Sequence, residues 1–336
     1  MPLLTVFTPV FNLEKYIEET IKSILSQTFT DFEYILIDDC SSDRSVEIIE
    51  SFNDPRIRLI KNKINQGISF NRNLAIEEAK GKYIAMIDGD DLALPERLEK
   101  QLVFLEKNPD YGIIGTEVIN INKKGEQLGS IIKYTIPDDE IPSRMLFNNY
   151  IATSSTMIRL SELAEIRFKK EFVVAEDYEV WIQLIRNCKI GHIRLPLTKY
   201  RIHDDSISIQ KQQLMLDTEV KIMKQQLKEL NCKLNDNEFQ VFLDLSKDNQ
   251  IPYSKKFRLI NQTITKLVDA NKQSLLFNKS AFCKLLFRYW HIFYVDRKVN
   301  NLLLFKEIKE SGMYELLSSE EKIKLIIKSF FKFKSK

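Results

Sequence analysis

Residues 83–91 read Tyr83-Ile84-Ala85-Met86-Ile87-Asp88-Gly89-Asp90-Asp91, so five mostly apolar residues are followed at once by a cluster of carboxylates. A short, continuously apolar run is typical of a strand that is buried on both faces, the usual state of strands in a parallel sheet. Gly89 ends this run, and a helical pattern begins near Glu96. Ligands of open α/β sheets bind at the carboxyl ends of the strands. We therefore expect the three aspartates to lie where a ligand binds.

The three carboxylates repel one another unless a positive charge lies between them. Carboxylate oxygens suit a hard divalent cation, Mg²⁺ or Mn²⁺, which also takes waters and substrate phosphates as ligands. The cluster therefore predicts a site for Mn2+ or Mg2+. The spacing Asp-x-Asp is a weak signal by itself, and a solvated acidic turn before the helix at Pro95 is the alternative.

The segments around this strand alternate between strand-like and helical patterns. This alternation favours an α/β fold with a right-handed, mostly parallel sheet. Polar residues follow the first, second and fourth strands, so we expect a nucleotide-sized crevice at that edge. No glycine-rich phosphate loop follows the first strand, so a metal and basic side chains would have to hold a bound diphosphate. The predicted strands are 4–10, 32–37, 57–60 and 83–87, and the predicted helices include 16–25, 68–79 and 96–105.

The later part of the chain changes in character. From about residue 210 glycine becomes rare and long helical patterns prevail. We expect two domains, an α/β nucleotide-binding domain at 1–210 and a mainly helical C-terminal domain at 211–336. Between residues 105 and 210 the patterns predict strands at 111–121, 128–134, 151–158 and 197–203, a hairpin turn at 123–125 and a helix at 178–185.

The composition is that of an ordinary globular protein, with 336 residues of which 44% are hydrophobic and 29% charged. The net charge of +3 gives no nucleic-acid footprint, so no nucleic-acid partner is expected. The four cysteines lie far apart, match no zinc spacing and are expected as free thiols. The chain starts with a strand-like run and shows no apolar run that could span a bilayer, so a cytoplasmic protein is expected.

Six short motifs occur in one order over about residues 3–208, and this ordered set resembles the family 2 glycosyltransferases, which have the GT-A fold. Each motif is weak alone, whereas the set in this order is specific. The motifs are Thr8-Pro9-Val10-Phe11-Asn12, Ile37-Asp38-Asp39-Cys40-Ser41-Ser42-Asp43, Asn65-Gln66-Gly67 with Arg72-Asn73, Ile87-Asp88-Gly89-Asp90-Asp91, Ala175-Glu176-Asp177 and Tyr200-Arg201-Ile202-His203.

The resemblance implies a nucleotide-diphosphate-sugar donor, a divalent metal and transfer with inversion at the anomeric carbon. Asp39 would face the base, and a carboxylate that accepts the N3–H of uracil favours uridine, so a UDP-sugar is expected. Arg72 would lie near the base or the diphosphate. The implied donor-binding residues are Thr8, Pro9, Val10, Asp39, Arg72, Asp88, Gly89 and His203.

The resemblance also implies the metal ligands and the catalytic base. Asp90 would bind the metal directly, Asp88 would hold the ribose or a metal-bound water, and Asp177 would be the base. Plainer roles stay open, because Asp177 could cap a helix and Asp39 could start a turn. Likewise His203 could be a strand-end histidine that bonds to backbone.

Two departures from the family pattern concern the donor site. Position 40 is Cys where Gly is commoner, a change that matters little chemically. Position 11 is Phe where Tyr is commoner, so a hydroxyl is missing beside the nucleoside.

Two other functions use similar residues. A haloacid-dehalogenase-like phosphatase also carries Asp-x-Asp at a strand end, but usually on the first strand and with Thr or Val where this chain has Leu92. A catalytically inactive nucleotide-binding module would keep the fold but is disfavoured by the presence of all the acids.

The acceptor and the location can be stated only as expectations. A composition rich in Lys, Asn and Ile suggests a bacterium, and the resemblance then points to surface polysaccharide such as capsule or lipopolysaccharide, with a glycan or lipid-linked acceptor. Residues 322–336 mix lysines with large apolar residues and contain no acid. This pattern fits peripheral contact with the inner face of the plasma membrane, and packing into a homodimer of the helical domain is the alternative.

Overall fold

A computed structural model describes residues 2–131, 136–246 and 257–295, together with Lys306, Lys309, Tyr314 and Lys322. The chain divides into two compact units. The first unit is Met1–Asp138 with Asn149–Val220, and the second is Asp139–Asn148 with Lys221–Lys336. These units have other limits than the domains 1–210 and 211–336 expected from the sequence, and that functional division stays a prediction.

The first unit is built on an eight-stranded sheet. Its strands are β1 (Leu4–Val10), β2 (Phe32–Asp38), β3 (Ile57–Lys61), β4 (Tyr83–Met86), β5 (Leu92–Ala93), β6 (Tyr111–Ile121), β7 (Met157–Arg159) and β8 (Lys189–Arg201). They lie in the order β3-β2-β1-β4-β7-β6-β8-β5. The first four strands of this order are parallel, as are β6 and β8, whereas β7 and β5 pair with their neighbours in antiparallel fashion. The expected α/β class with a mostly parallel sheet is confirmed.

Helices alternate with the strands along the first part of the chain, as the sequence patterns predict. They are α1 (Ile17–Leu25), α2 (Ser45–Glu50), α3 (Ile68–Glu78), α4 (Arg97–Lys107), α5 (Ile141–Arg144), α6 (Glu176–Asn187), α7 (Ile207–Gln210), α8 (Gln212–Glu229), α9 (Asp236–Ser246), α10 (Phe257–Ser274) and α11 (Lys279–Val295). The division between the two units falls within α8.

The strand register brings the carboxyl ends of β1, β2 and β4 to one edge. In the pairing of β1 with β2, Val10 lies opposite Asp38, and in the pairing of β1 with β4, Phe7 lies opposite Met86. All four residues of β4 are buried, as expected for a strand covered on both faces. The residues that follow these three strands therefore meet beside one another.

Two strands expected from the sequence are wrong. Residues 128–131 form no strand, since Gly129 has φ +61° and the only bridge in the described part of this segment joins Gln127 to Ile121. Residues 132–134 of that expected strand lie outside the described residues. The expected strand 151–158 is largely a tight 3-10 turn at Thr153–Ser155, after which β7 begins.

Side-chain hydroxyls explain why this second segment is not extended. The Ser155 hydroxyl donates to the Ala152 carbonyl at 2.7 Å, and the Thr156 hydroxyl donates to the Thr153 carbonyl at 2.8 Å. Such local bonds offer the backbone an alternative to a strand ladder. They hold residues 152–156 as a turn.

The second unit is helical in its described part. Its core contains residues of α8 to α11 together with Leu146 and Phe147, and includes the fully buried Trp290, whose indole N–H donates to Asn261 at 2.8 Å. The mainly helical C-terminal region expected from the sequence is confirmed. Residues 323–336, which carry the predicted membrane contact, lie outside the described residues.

No helix in the described part of the chain is long and apolar enough to cross a membrane.

Cys40, directly after β2, adopts the left-handed conformation with φ +65°. This conformation costs a non-glycine residue roughly 1–2 kcal/mol, while glycine pays about 0.5–1 kcal/mol more in backbone entropy. We therefore expect Cys40→Gly to raise the free energy of unfolding by up to about 1 kcal/mol. Urea unfolding followed by tryptophan fluorescence measures the change. Cys40→Ala keeps the strain and is the control, so an equal gain in both variants would contradict the prediction.

Candidate active site

The acidic motif forms a tight turn that packs against β1 and α1. A Cβ atom on Gly89 would lie 2.6 Å from Leu13 Cδ1 and 3.2 Å from the Pro9 carbonyl oxygen, so a larger residue would have to displace the end of the Leu13 side chain. The Thr20 hydroxyl of α1 lies 2.9 Å from the carbonyl oxygens of both Gly89 and Asp91. Gly89 thus serves the turn by its small size, and its predicted contact with the donor stays a prediction.

The third acid, Asp91, is buried and holds the neighbouring strand. Its Oδ1 accepts the backbone N–H of Arg201, at the end of β8, at 2.7 Å. Burial raises the pKa of Asp91 well above its usual range, and Asp90 and Asp88 add to the rise. Asp91 therefore has a structural role on the buried side of the motif. The side chains of Asp88 and Asp90 are 33% and 21% exposed and can contact a ligand.

Asp90 is held by Arg201, the last residue of β8, and by His203 two residues later. The Arg201 Nε donates to the Asp90 carbonyl at 2.7 Å, and His203 Nε2 lies 2.9 Å from Asp90 Oδ2. The Arg201 guanidinium also donates to Glu19 at 2.7 Å and lies over the Tyr16 ring. Because Arg201 is fully engaged and buried, it clamps the motif and does not face a diphosphate.

Asp90 and His203 offer two possible ligands for one cation. Their side chains are in direct contact, with His203 Nε2 2.9 Å from Asp90 Oδ2, the distance of a hydrogen bond. Carboxylate oxygen and imidazole nitrogen both bind divalent cations, and an ion bound to both atoms would replace this hydrogen bond. Within the described residues no three His, Cys, Asp or Glu side chains could enclose an ion by themselves. An ion held here would complete its shell with water and phosphate oxygens, as Mg²⁺ commonly does.

Arg72 of α3 joins the acidic motif to the first turn of α6. Its guanidinium donates to Glu176, lies 3.6 Å from Asp88 Oδ1 and stacks over the Phe168 ring with 5.3 Å to the centroid. Burial raises the pKa of Glu176 to about 7, with Arg72 opposing this rise and Asp177 adding to it. The structure thus places Arg72 between two carboxylates, buried, and its predicted contact with the donor stays a prediction.

Asp88 experiences the same set of charges. Burial raises its pKa, Arg72 opposes the rise, and the carboxylates of Asp90 and Asp177 contribute to it. The hydroxyl of Ser154 accepts the Asp88 backbone N–H at 3.0 Å and lowers the pKa of the Asp88 carboxyl. The predicted base and the acidic motif therefore belong to one electrostatic cluster.

Asp177 lies in the first turn of α6 and not at its cap. The capping position is Ala175, which has φ +54°, so the alternative interpretation of Asp177 as the helix cap is wrong. Asp177 Oδ2 accepts the hydroxyl of Thr153 at 2.6 Å and the amide of Asn149 at 3.3 Å, and Oδ1 accepts the N–H of Tyr178 at 2.7 Å. The carboxylate is half-buried and fixed in direction by these donors.

Asp39 organises the loop that follows β3. Its Oδ1 accepts the Asn62 amide and the backbone N–H of Gln66, and its Oδ2 accepts the N–H of Gly67, all at 2.8 Å. The turn-forming role that the sequence left open is therefore present. A carboxylate has about four acceptor positions, of which these donors take three, and Asp39 is only 3% exposed.

The residues predicted at the end of β1 contribute mainly through the backbone. Thr8 is buried, and its hydroxyl bonds the Tyr34 hydroxyl at 2.9 Å. The Val10 carbonyl accepts the Asp39 N–H at 2.8 Å, and Pro9 is partly exposed. These contacts fix the edge of the crevice, while direct contact with a donor stays a prediction.

The sequence interpretation did not single out Asn149, Thr153 or Ser154. Their signal is the polar run Thr153-Ser154-Ser155-Thr156, which was interpreted as part of a strand. A run of hydroxyl residues is more typical of local side chain–backbone bonding than of a buried strand.

Comparison with known proteins identifies the family of this chain. The model of the family "Glycosyl transferase family 2" matches residues 5–165. An uncharacterized glycosyltransferase of Methanocaldococcus jannaschii is 36% identical over 221 residues, which are 63% of this chain and 76% of that protein. The chain belongs to glycosyltransferase family 2. This family 2 glycosyltransferase has the α/β arrangement and the acidic motif that the sequence predicted.

A second relative carries a more specific name. The Escherichia coli "UDP-Glc:alpha-D-GlcNAc-diphosphoundecaprenol beta-1,3-glucosyltransferase WfgD" is 32% identical over 213 residues, which are 62% of this chain and 81% of that protein.

Among solved structures, the family 2 glycosyltransferase described here is similar in fold to S. aureus TarS 1-349 in complex with UDP-GlcNAc. The TM-score is 0.58 at 19% sequence identity, over 88% of this chain and 91% of that one. This likeness shows the shared fold and agrees with the GT-A architecture.

Proposed function

We propose that this glycosyltransferase moves a sugar from a UDP-sugar to a hydroxyl of a glycan or lipid-linked acceptor, with inversion, during assembly of a bacterial surface polysaccharide such as capsule or lipopolysaccharide. The observation that carries the proposal is the bridge from Glu176 through Arg72 to Asp88. This bridge brings the first turn of α6, and with it Asp177, beside the acidic motif.

Asp177 is the general base of the proposed reaction. An acceptor hydroxyl must lose its proton as its oxygen attacks the anomeric carbon, and a carboxylate within hydrogen-bond reach can take that proton. Thr153 and Asn149 both donate to one Asp177 oxygen, which fixes the plane of the carboxylate. Inversion requires attack from the side opposite the leaving diphosphate, so the base and the diphosphate site must lie on opposite sides of the transferred sugar.

The diphosphate belongs at the exposed side of the acidic motif. Asp90 and His203 would hold a divalent ion, and Asp88 would hold the ribose or a water of that ion. When bound, Mn²⁺ or Mg²⁺ neutralises the charge that develops on the leaving diphosphate. The His203 ring lies 4.8 Å from that of Tyr16, and its Nε2 lies 2.9 Å from Asp90 Oδ2.

The names of the relatives support a uridine donor. The name of WfgD specifies UDP-Glc and a diphosphoundecaprenol acceptor, and TarS was crystallised with UDP-GlcNAc. A lipid-linked acceptor would suit peripheral membrane contact through residues 322–336. That contact and a homodimer through the helical domain stay predictions.

A donor screen tests the proposal. Purified protein is incubated with UDP-glucose, UDP-N-acetylglucosamine, GDP-mannose and glucose 1-phosphate, with Mn²⁺ or with excess EDTA. We expect release of UDP from one of the UDP-sugars with Mn²⁺ only. Release of inorganic phosphate from glucose 1-phosphate would instead favour the phosphatase function. If none of the four substrates is consumed under any condition, the result would favour an inactive module.

Uridine selectivity is a separate prediction. The remaining acceptor position on Asp39 Oδ2 would take the N3–H of uracil, a donor that cytosine lacks. A site built to accept one specific N–H rejects bases without it, so we expect UDP to bind at least about tenfold more tightly than CDP. Isothermal titration calorimetry with Mn²⁺ measures both affinities. Equal affinities would remove Asp39 from base recognition and leave it as the residue that holds the loop.

A further inference from the structure

We propose that the turn Thr153–Ser155 aligns the two halves of the active site, with Thr153 as the positioning residue for the base and Ser154 as the positioning residue for the donor-side acid. The proposal rests on the proposed function, because it assigns Asp177 and Asp88 to opposite sides of the transferred sugar. It concerns residues that never touch the substrate.

The Thr153 side of the turn faces the base. Its hydroxyl donates to Asp177 Oδ2 at 2.6 Å, the usual length of a strong hydrogen bond from a hydroxyl to a carboxylate. Asn149 approaches the same oxygen at 3.3 Å, a longer and weaker contact. Thr153 is thus the main external group that fixes the carboxylate.

The Ser154 side of the turn faces the acidic motif. Its oxygen accepts the backbone N–H of Asp88 at 3.0 Å, and its hydroxyl lowers the pKa of Asp88 and Asp91, although burial raises both pKa values by more. Ser154 is 1% exposed, so bulk water does not compete for this hydrogen bond. Two adjacent residues therefore hold the two acids that the reaction needs at a set separation.

Two buried side chains of α4 hold the turn in place. Gln101 of α4 donates to the Ser155 carbonyl at 2.8 Å, and Arg97 donates to the carbonyls of Met86 and Thr156 at 2.7 and 3.1 Å. Gln101 and Arg97 are both fully buried. Because Arg97 binds the end of β4 and the residue after the turn at once, the turn cannot move independently of the acidic motif.

The two residues predict separate kinetic effects. Thr153→Val removes the donor to Asp177 without changing the size of the side chain, so turnover should fall about tenfold while UDP affinity stays within about twofold. Ser154→Ala leaves the Asp88 N–H without its acceptor, so UDP affinity with Mn²⁺ should fall about tenfold. Neither effect follows from a general loss of stability.

Rescue by a conservative variant gives an independent readout. Thr153→Ser keeps the hydroxyl that donates to Asp177 and should restore turnover. The charged groups near Asp177, which are Arg72 of α3, Asp88 after β4 and its neighbour Glu176, all remain in both variants.

The experiment compares Thr153→Val, Thr153→Ser, Ser154→Ala and Asp177→Asn in UDP-sugar hydrolysis and in UDP–Mn²⁺ calorimetry. Thr198→Val is the matched control, because the buried Thr198 hydroxyl bonds only Thr116 at 3.0 Å among the hydrogen bonds described and lies outside the site. If Thr153→Val does not fold, Asn149→Ala removes the other donor and should lower turnover in the same direction by less.

The outcomes separate the two proposals. Normal turnover in Thr153→Val, with Asp177→Asn inactive, would overturn the alignment role alone. A decrease of the same kinetic parameter in Thr153→Val and Ser154→Ala would also overturn it. Normal turnover in Asp177→Asn would instead refute the base assignment on which the alignment role rests.

Discussion

Asp90→Asn should abolish most transfer activity and most metal-supported binding of UDP. The substitution keeps the shape of the side chain but removes the charge that faces His203 at 2.9 Å. Loss of an outer contact to a metal ligand costs about 10–100-fold, so loss of the ligand charge itself should cost roughly a hundredfold or more. The measurements are UDP release from a UDP-sugar over a range of Mn²⁺ concentrations and calorimetry with UDP and Mn²⁺.

The exposed aspartate Asp205, two residues after His203 in the sequence, provides the control. Among the described ion pairs Asp205 takes part only in a surface pair with Lys15 at 3.6 Å, and such pairs contribute little, so Asp205→Asn should behave as the wild type. Full activity of Asp90→Asn, or full activity of the wild type in excess EDTA, would remove Asp90 from metal binding.

Asp177→Asn is the second change with a large expected effect. Turnover should fall by on the order of 10² or more, because the amide cannot take the proton of the attacking hydroxyl. UDP affinity should change little, since Asp177 lies with Thr153 and Asn149 on the other side of the transferred sugar in the proposed reaction. Single-turnover measurements on bound donor separate the chemical step from donor binding.

The control for this variant is Asp217→Asn, an exposed residue of α8 whose carboxylate accepts only the Gln213 amide among the described hydrogen bonds. A collapse of donor affinity in Asp177→Asn with normal turnover of bound donor would show that Asp177 supports the structure of the site and that another group is the base.

Hydrophobic patterning predicted the first half of the fold well. The bounds of β1 and β6 are as expected, and β2, β3 and β4 differ from expectation by one residue at an end. β1, β2 and β4 are apolar and largely buried, so their composition distinguishes them from the amphipathic helices between them, whereas β3 is only half-buried. The edge where polar residues meet was also predictable, because the carboxyl ends of parallel strands lie together.

Contacts between distant segments could not be predicted in the same way. The pairing of Arg72 with Glu176 spans 104 residues, and nothing local to either residue indicates the other. The turn at Thr153–Ser155 was missed for a different reason, since its form depends on hydroxyl–carbonyl bonds and not on hydrophobic period. For Asp39 the sequence allowed both a turn and a base contact, and the structure shows the first without excluding the second.

The contacts of Arg201 and His203 with Asp90 determine when the active site can form during synthesis of the chain. The contacts of Arg201 and His203 with Asp90 span 111 and 113 residues. During synthesis from the N-terminus, the acidic motif leaves the ribosome long before the strand that holds it. A nascent chain that ends before residue 176 contains Asp88 and Asp90 but neither the proposed base nor the histidine. Folding of the first four strands can therefore precede catalytic competence. Arg201 at the end of β8 and His203 after it complete the site.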